Sequence, residues 1–223
     1  MQTDTGDRSR SEEQGVIIET QPSLEKGITL LDKPEDLPVF QALVASELAG
    51  DSSQALWLDT ENQSSTYALA RHGEDLMERL EIGKAFTARQ HHRLVELAAQ
   101  FISEKTELLV LPQITSLYLD GGLKEWARKD LFSDTWSQVE QLQERHGLKV
   151  LVSLPSRPDD LRYLVTSSID DRIEAKPTSQ GLRYSADDFN QLVYRRSRSV
   201  QTTFPYWKTQ TTEQEVEVAV RSS

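Results

Sequence analysis

The sequence predicts an α/β domain with a mainly parallel sheet and right-handed crossovers. Two observations carry this. Short apolar runs alternate with longer helical patterns from residue 27 to residue 154, and Leu108-Leu109-Val110-Leu111 is apolar at every position, as a strand covered on both faces must be. Glycines close the helical patterns at Gly50, Gly73 and Gly147, where a left-handed residue ends a helix most easily.

The elements follow in order. Gly27–Leu31 is a short strand. A helix near 37–49 places Leu37, Phe40, Leu43, Val44 and Leu48 on one face, and Gly50 stops it. Ala55–Asp59 is a buried strand, 64–72 a short helix ending at Gly73, and Leu80–Phe86 a strand. Ala88–Lys105 reads as a helix with Leu94, Leu97, Ala98 and Phe101 on its apolar side. After the strand at 108–111, residues 123–146 form a helix striped by Phe132, Trp136, Val139 and Leu142. Leu148–Leu154 is the next strand, and 168–208 is β-rich and irregular. Residues 1–14 are polar apart from Met1 and read as a disordered tail. Residues 15–208 form the core domain. Residues 209–223 form a tail or an edge strand, in which Val216, Val218 and Val220 alternate with Glu215, Glu217 and Ala219. No internal repeat is visible.

Composition narrows the chemistry. The 223 residues carry 25 Lys and Arg against 36 Asp and Glu, a net charge of −11. That excess disfavours a nucleic-acid surface spread over the whole molecule, though not a local basic patch. It suits a cytoplasm, including one rich in salt. The absence of cysteine excludes disulfides, thiol catalysis and Cys-based metal sites. No apolar run is long enough for a membrane span, and the first residues lack the apolar core of a signal peptide, so a cytoplasmic protein without a membrane partner is expected.

Ligands of parallel α/β sheets bind at the carboxyl ends of the strands, so those ends are the place to look for chemistry. A nucleotide site would need a glycine-rich loop with Lys and Ser or Thr after the first strand. The segment is Leu31-Asp32-Lys33-Pro34-Glu35-Asp36-Leu37-Pro38. It has no glycine, two prolines without amide donors, and three carboxylates that repel phosphate. The second strand ends Asp59-Thr60-Glu61. Its two carboxylates could hold a metal or act as a base, and equally suit capping of the next helix. The strand at 108–111 ends in Pro112 where a Mg²⁺ site calls for Asp.

Together these segments resemble the ATPase core of the RecA/RadA recombinases. The resemblance rests on Asp59-Thr60-Glu61 after a strand, Gly83-Lys84-Ala85-Phe86 at the end of the next, and Gln90-His91-His92 opening a helix. LLVLPQITSLYLDGG is similar to the family's metal-site strand, and Arg145–Val150 to the approach to its fifth core strand. The similarity covers about 27–176 and extends toward 207. It implies a RecA-like (P-loop NTPase type) fold with a C-terminal β-rich extension. The family's Walker A Gly-Lys-Ser/Thr is missing at 31–38, and its Walker B Asp is Pro112. No Phe-x-x-Ala oligomerisation motif is found ahead of the core. Glu61 matches the family's water-activating carboxylate. The resemblance therefore implies a degenerate paralogue: a pseudo-ATPase with no cofactor and no metal. It would be an accessory or regulator of DNA recombination and repair that binds a recombinase, another protein or single-stranded DNA, as a homo- or hetero-oligomer. Two alternatives stand beside it: an ATPase with an atypical phosphate site drawing on Lys33, Asp59, Glu61 and Lys84, and a RecA-like interaction scaffold outside DNA metabolism.

The family's two DNA-binding loops correspond to 112–130 and 155–168. They contain Lys124, Arg128 and Lys129, then Arg157 and Arg162, each group among acids that would make them ordinary surface charge. The strongest basic signal is 189–212, which holds Arg195, Arg196, Arg198 and Lys208 without an acid, +4 against −15 for the rest of the chain. Tyr194, Phe204, Tyr206 and Trp207 interleave with those cations. Cations with stacking aromatics suit single-stranded nucleic acid, an acidic protein surface, or a hairpin edge with core aromatics. His91 and His92 are adjacent on a helix and diverge, so they are not a metal pair.

Overall fold

The computed structural model describes residues 21–33, 39–49, 52–60, 62–64, 69, 74–120, 122–187, 189–196 and 199–202. The expectations for 1–14, for the loop at 34–38, for most of 64–72 and for 209–223 lie outside them.

Nine strands form one sheet, in chain order β1 (Gly27–Asp32), β2 (Gln54–Asp59), β3 (Leu80–Lys84), β4 (Thr106–Leu111), β5 (Lys149–Val152), β6 (Asp171–Thr178), β7 (Gly181–Ser185), β8 (Asn190–Arg196) and β9 (Ser199–Thr202). Their order across the sheet is β3-β2-β4-β5-β1-β6-β7-β8-β9. The six strands from β3 to β6 run parallel, and β6 to β9 form an antiparallel meander. The described part of the 168–208 stretch, Asp171 to Thr202, is thus a regular ladder rather than an irregular one.

Five helices lie among the described residues: α1 (Val39–Glu47), α2 (Glu74–Glu78), α3 (Ala88–Ala98), α4 (Glu125–His146) and α5 (Arg162–Thr166), with a 3₁₀ turn at Ser116–Tyr118. Successive side chains on a strand point to opposite faces, and β4 shows the consequence. Leu109 and Leu111 join Phe132, Trp136, Val139 and Leu142 of α4 and Val95 of α3 in one core. Leu108 and Val110 join Phe40, Leu43 and Val44 of α1 in a second. A continuous apolar strand is required because both faces are covered. Each fully buried Leu or Val contributes roughly 1.5–3 kcal/mol.

The helix ends follow local chemistry. Thr87 caps α3 by accepting the Gln90 amide at 3.2 Å, while Gln90 Oε1 accepts the Phe86 amide at 3.0 Å. Gly147 closes α4 in the left-handed conformation (φ 63°), donating to Gln143 O at 2.8 Å. α3 is shorter than its apolar pattern predicts. After Ala98 the chain tightens into three-residue turns, Gln100 N–H to Leu97 O and Phe101 N–H to Ala98 O. That rotates Phe101 off the buried stripe, leaving it 53% exposed. The stripe that packs inward is Ala88, His91, Val95 and Ala98, with Leu94 and Leu97 only half-buried. The short helices α2 and α5 were not expected from the sequence; five residues hold too little periodicity to register.

Candidate functional site

The carboxyl ends of β3, β2, β4 and β5 form one continuous edge, along which polar groups of the described residues hydrogen-bond to one another. Asp59, which ends β2, is 1% exposed. Its Oδ1 accepts the Ser64 amide at 3.0 Å and the Trp57 indole N–H at 3.3 Å, and its Oδ2 accepts the Ser64 hydroxyl at 2.7 Å. Lys84 Nζ, at the end of β3, stands 3.9 Å from Oδ2 and donates to Asn62 Oδ1 at 2.9 Å. Ala85 N–H donates to Asp59 O at 3.0 Å. Thr60 Oγ1 donates to Pro112 O at 2.6 Å, joining β2 to β4. Gln113, held in the left-handed region (φ 47°), donates its amide to Ser153 Oγ at 2.9 Å, and Ile114 N–H donates to Ser153 O at 3.0 Å, joining β4 to β5. A carboxylate with this many short donors is held as a structural hub.

Lys33, just after β1, has its Nζ 5.9 Å from the Phe40 ring centroid. Glu61 and the 34–38 loop lie outside the described residues. Among the described residues no cluster of His, Asp or Glu could hold a metal ion.

The two predicted DNA loops do come together. Arg128 of α4 donates to Asp160 Oδ1 at 2.7 Å, and Lys129 reaches Glu125 Oε1 at 2.8 Å and Asp160 Oδ2 at 3.1 Å. Arg162 donates to Pro155 O at 2.6 Å. Asp159 Oδ1 accepts the amides of Leu161 and Arg162 at 2.9 and 2.8 Å and so shapes the start of α5. The Arg128 bond holds the Asp160 carboxyl below the usual carboxylate range, and the Asp160 bond raises Arg128 in turn. The hydrogen bond to Glu125, followed by the one to Asp160, raises Lys129. Lys124 and Arg157 are exposed. A cavity of about 440 Å³ beside them is lined by Arg128 and Arg157 together with Glu125, Asp159 and Asp160. The surface is therefore amphoteric rather than basic.

The other basic candidates lie elsewhere. Arg195 and Arg196 end β8, opposite Val200 and Ser199 of β9. β8 is separated from β5 by β1, β6 and β7, so this basic stretch and the 124–162 cluster are different regions of the sheet. Arg198, Tyr206, Trp207 and Lys208 lie outside the described residues.

Two features escaped the sequence reading. One is a buried hydrogen-bond chain. His91, fully buried, has Nδ1 3.0 Å from Tyr118 Oη; Tyr118 Oη is 2.9 Å from Thr135 Oγ1, and Thr135 Oγ1 is 3.0 Å from His92 Nδ1. Thr135 donates its one proton to Leu131 O at 2.7 Å. It must then accept from both Tyr118 and His92, and Tyr118 must accept from His91, which fixes Nδ1–H on both imidazoles. The two rings diverge, as adjacency on a helix requires, yet meet at one pair of hydroxyls. Burial, then the neighbouring His92, lowers His91 from 6.5 to about 4, and burial raises Tyr118 well above its ordinary value. His92 Nε2 faces Glu96 and Asp134 at 3.5 and 3.6 Å. The Ser116–Tyr118 turn gives no periodic signal, so nothing local marks Tyr118 as the partner.

The second is a groove of about 430 Å³ between α3 and α4, carrying Trp126 at 66% exposure. An exposed Trp on a helix preceded by two glycines is visible in the sequence as an apolar residue off the stripe.

No protein-family model matches the chain, and no curated protein is similar enough to count as a relative. What is plain is the coarse class: an α/β protein with a mostly parallel mixed sheet flanked by helices, in which no helix among the described residues is long and apolar enough to cross a membrane.

Proposed function

We propose that the chain is a non-catalytic RecA/RadA-like paralogue, a pseudo-ATPase that serves DNA recombination or repair as an accessory or regulator by binding a protein partner. One observation carries the reading. The strand ends where an ATPase of this fold would expose carboxylates to metal and nucleotide are closed by internal hydrogen bonds: Asp59 to Ser64 and Trp57, Thr60 to Pro112, Gln113 to Ser153. Support for the RecA-like part comes from placement. Of the segments that carry the resemblance, those at Asp59, Lys84 and Pro112 end β2, β3 and β4, which are neighbours in the sheet and touch through Ala85 to Asp59 and Thr60 to Pro112, and Gln90–His92 lies at the start of α3. The prolines and acids at 32–38 supply the sequence argument against a phosphate cradle.

Pairing of Arg128 and Lys129 with Asp160 favours a protein partner over single-stranded DNA at the 112–130 and 155–168 loops. DNA binding, where it occurs, belongs to the 195–208 stretch and falls steeply with salt.

The test is titration of the purified full chain with a fluorescent ATP analogue, with and without Mg²⁺, repeated with single-stranded DNA. No saturable nucleotide binding is expected. Saturable Mg²⁺-dependent binding sinks the pseudo-ATPase reading and points to Lys33, Lys84 and Glu61. Absence of both nucleotide binding and any recombinase contact in a purified-component pull-down leaves a scaffold outside DNA metabolism.

A further inference from the structure

The groove between α3 and α4 has the construction of a helix-docking site. On α4, Trp126, Asp130 and Asp134 stand at four-residue spacing and form one ridge. Beside it Leu123, just ahead of the helix, Ala127 and Leu131 form a parallel row, half-buried, with Leu123 and Leu131 resting on the core. Such rows at i, i+4, i+8 are the ridges and grooves by which helices pack. Ala127, the smallest of the three, sits at the centre, where an incoming helix approaches most closely. The opposite wall carries Arg89 of α3.

We infer that this groove docks an amphipathic helix of a protein partner, apolar on the face that meets Leu123, Ala127 and Leu131, basic along the edge that meets Asp130 and Asp134, and acidic along the edge that meets Arg89. The argument for that occupant is charge complementarity. The groove presents Asp130 and Asp134 on one rim, the latter also facing His92 Nε2 of α3 at 3.6 Å and accepting from Gln138 Nε2 at 3.3 Å, and a guanidinium on the other, so an occupant of uniform charge meets repulsion along one side. Trp and Arg beside a half-buried apolar floor are the residue types that dominate interface energies, and an apolar helix face laid into a groove is an established recognition mode. Trp126, 66% exposed, stands on the groove wall with most of its ring open to an incoming surface. The inference rests on the protein-binding part of the function proposed above and not on its recombination part.

The test uses the full chain and fluorescein-labelled, stapled synthetic helices of about four turns, with Leu at i, i+4 and i+7. One carries Lys along one edge and Glu along the other; the second carries Glu along both edges; the third has each Leu replaced by Ala. Anisotropy should show the first binding about fivefold or more tighter than the second, and the third not binding. Trp126→Ala should weaken the first at least about tenfold, with an unchanged urea midpoint, because the side chain lies mostly in water. Asp130→Lys combined with Asp134→Lys should invert the preference between the first two helices. Absence of binding to both charged helices up to about 1 mM, or binding indifferent to Trp126→Ala, overturns the proposal. So does concentration-dependent self-association abolished by Trp126→Ala, which makes the occupant a second copy, or loss of single-stranded DNA binding in that variant, which makes Trp126 a base-stacking platform. Saturable nucleotide binding would sink the pseudo-ATPase reading while leaving the peptide result intact, so the two failures are distinguishable.

Discussion

Thr60 and Pro112 are joined by a 2.6 Å hydrogen bond from a fully buried hydroxyl to a proline carbonyl. The bond ties the end of β2 to the end of β4 at the carboxyl edge of the parallel strands, where ligands of such sheets bind. Ser153 makes the matching tie from β5 to β4. Ser153→Ala leaves the Gln113 amide buried without its acceptor, which costs about 1–3 kcal/mol. Urea unfolding followed by far-UV circular dichroism should show that loss with an unchanged denaturant slope. An unchanged midpoint would mean that the strand-end ties are incidental.

Asp59 is a structural hub in this arrangement, and its variants should behave accordingly. Asp59→Ala removes the acceptor for the Ser64 amide, the Ser64 hydroxyl and the Trp57 indole at once, and should destabilise by about 2–4 kcal/mol. Asp59→Asn keeps one carbonyl oxygen and should lose less. A variant of wild-type stability that instead loses Mg²⁺ binding in calorimetry would mark Asp59 as a ligand.

His91 makes stability depend on pH. The unfolded chain takes up a proton there near the ordinary value of 6.5, and the folded core resists it down to about 4. The contribution of neutral His91 is therefore complete above about pH 6.5 and declines as pH falls toward 4, by about 3 kcal/mol in all. His91→Gln keeps a donor toward Tyr118 and cannot protonate. Its stability should fall less than the wild type's across that window. Glu96, Asp134 and His92, which face the same network, are present in both proteins, so the difference between the two curves isolates His91. Parallel curves would show that His91 takes up its proton equally in the folded and the unfolded state.

Gly27 opens β1 with φ 131°, and a Cβ there would stand 2.6 Å from the Asp170 carboxylate that accepts the Ile28 amide at 2.7 Å. Gly27→Ala should lower stability by about 1–3 kcal/mol through backbone strain and displacement of Asp170. Thermal unfolding reads it directly. Asp170→Asn, which leaves room for the same contact, should be milder.

The sequence by itself determined the class of the fold and most of its elements. An all-apolar run such as Leu108–Leu111 has one stable home, a strand covered on both faces, and the stripe at Phe132, Trp136, Val139 and Leu142 has one, a helix laid on that sheet. Those signals are local, since periodicity and burial act within a few residues. It also showed a proline, Pro112, and no carboxylate directly after the 108–111 strand. The tertiary structure alone decided what the polar residues do. Asp59 reads equally as ligand, base or cap until Ser64 and Trp57 are seen to surround it. Arg128 and Lys129 read as either phosphate contacts or ordinary surface charge, and only the fold shows them paired with Asp160, about 30 residues on, and with Glu125. His91 and His92 read as an unrelated pair until Tyr118 and Thr135 connect them. A charge or hydroxyl acquires its role from partners brought close by sheet order and helix packing, and no spacing along the chain encodes that proximity.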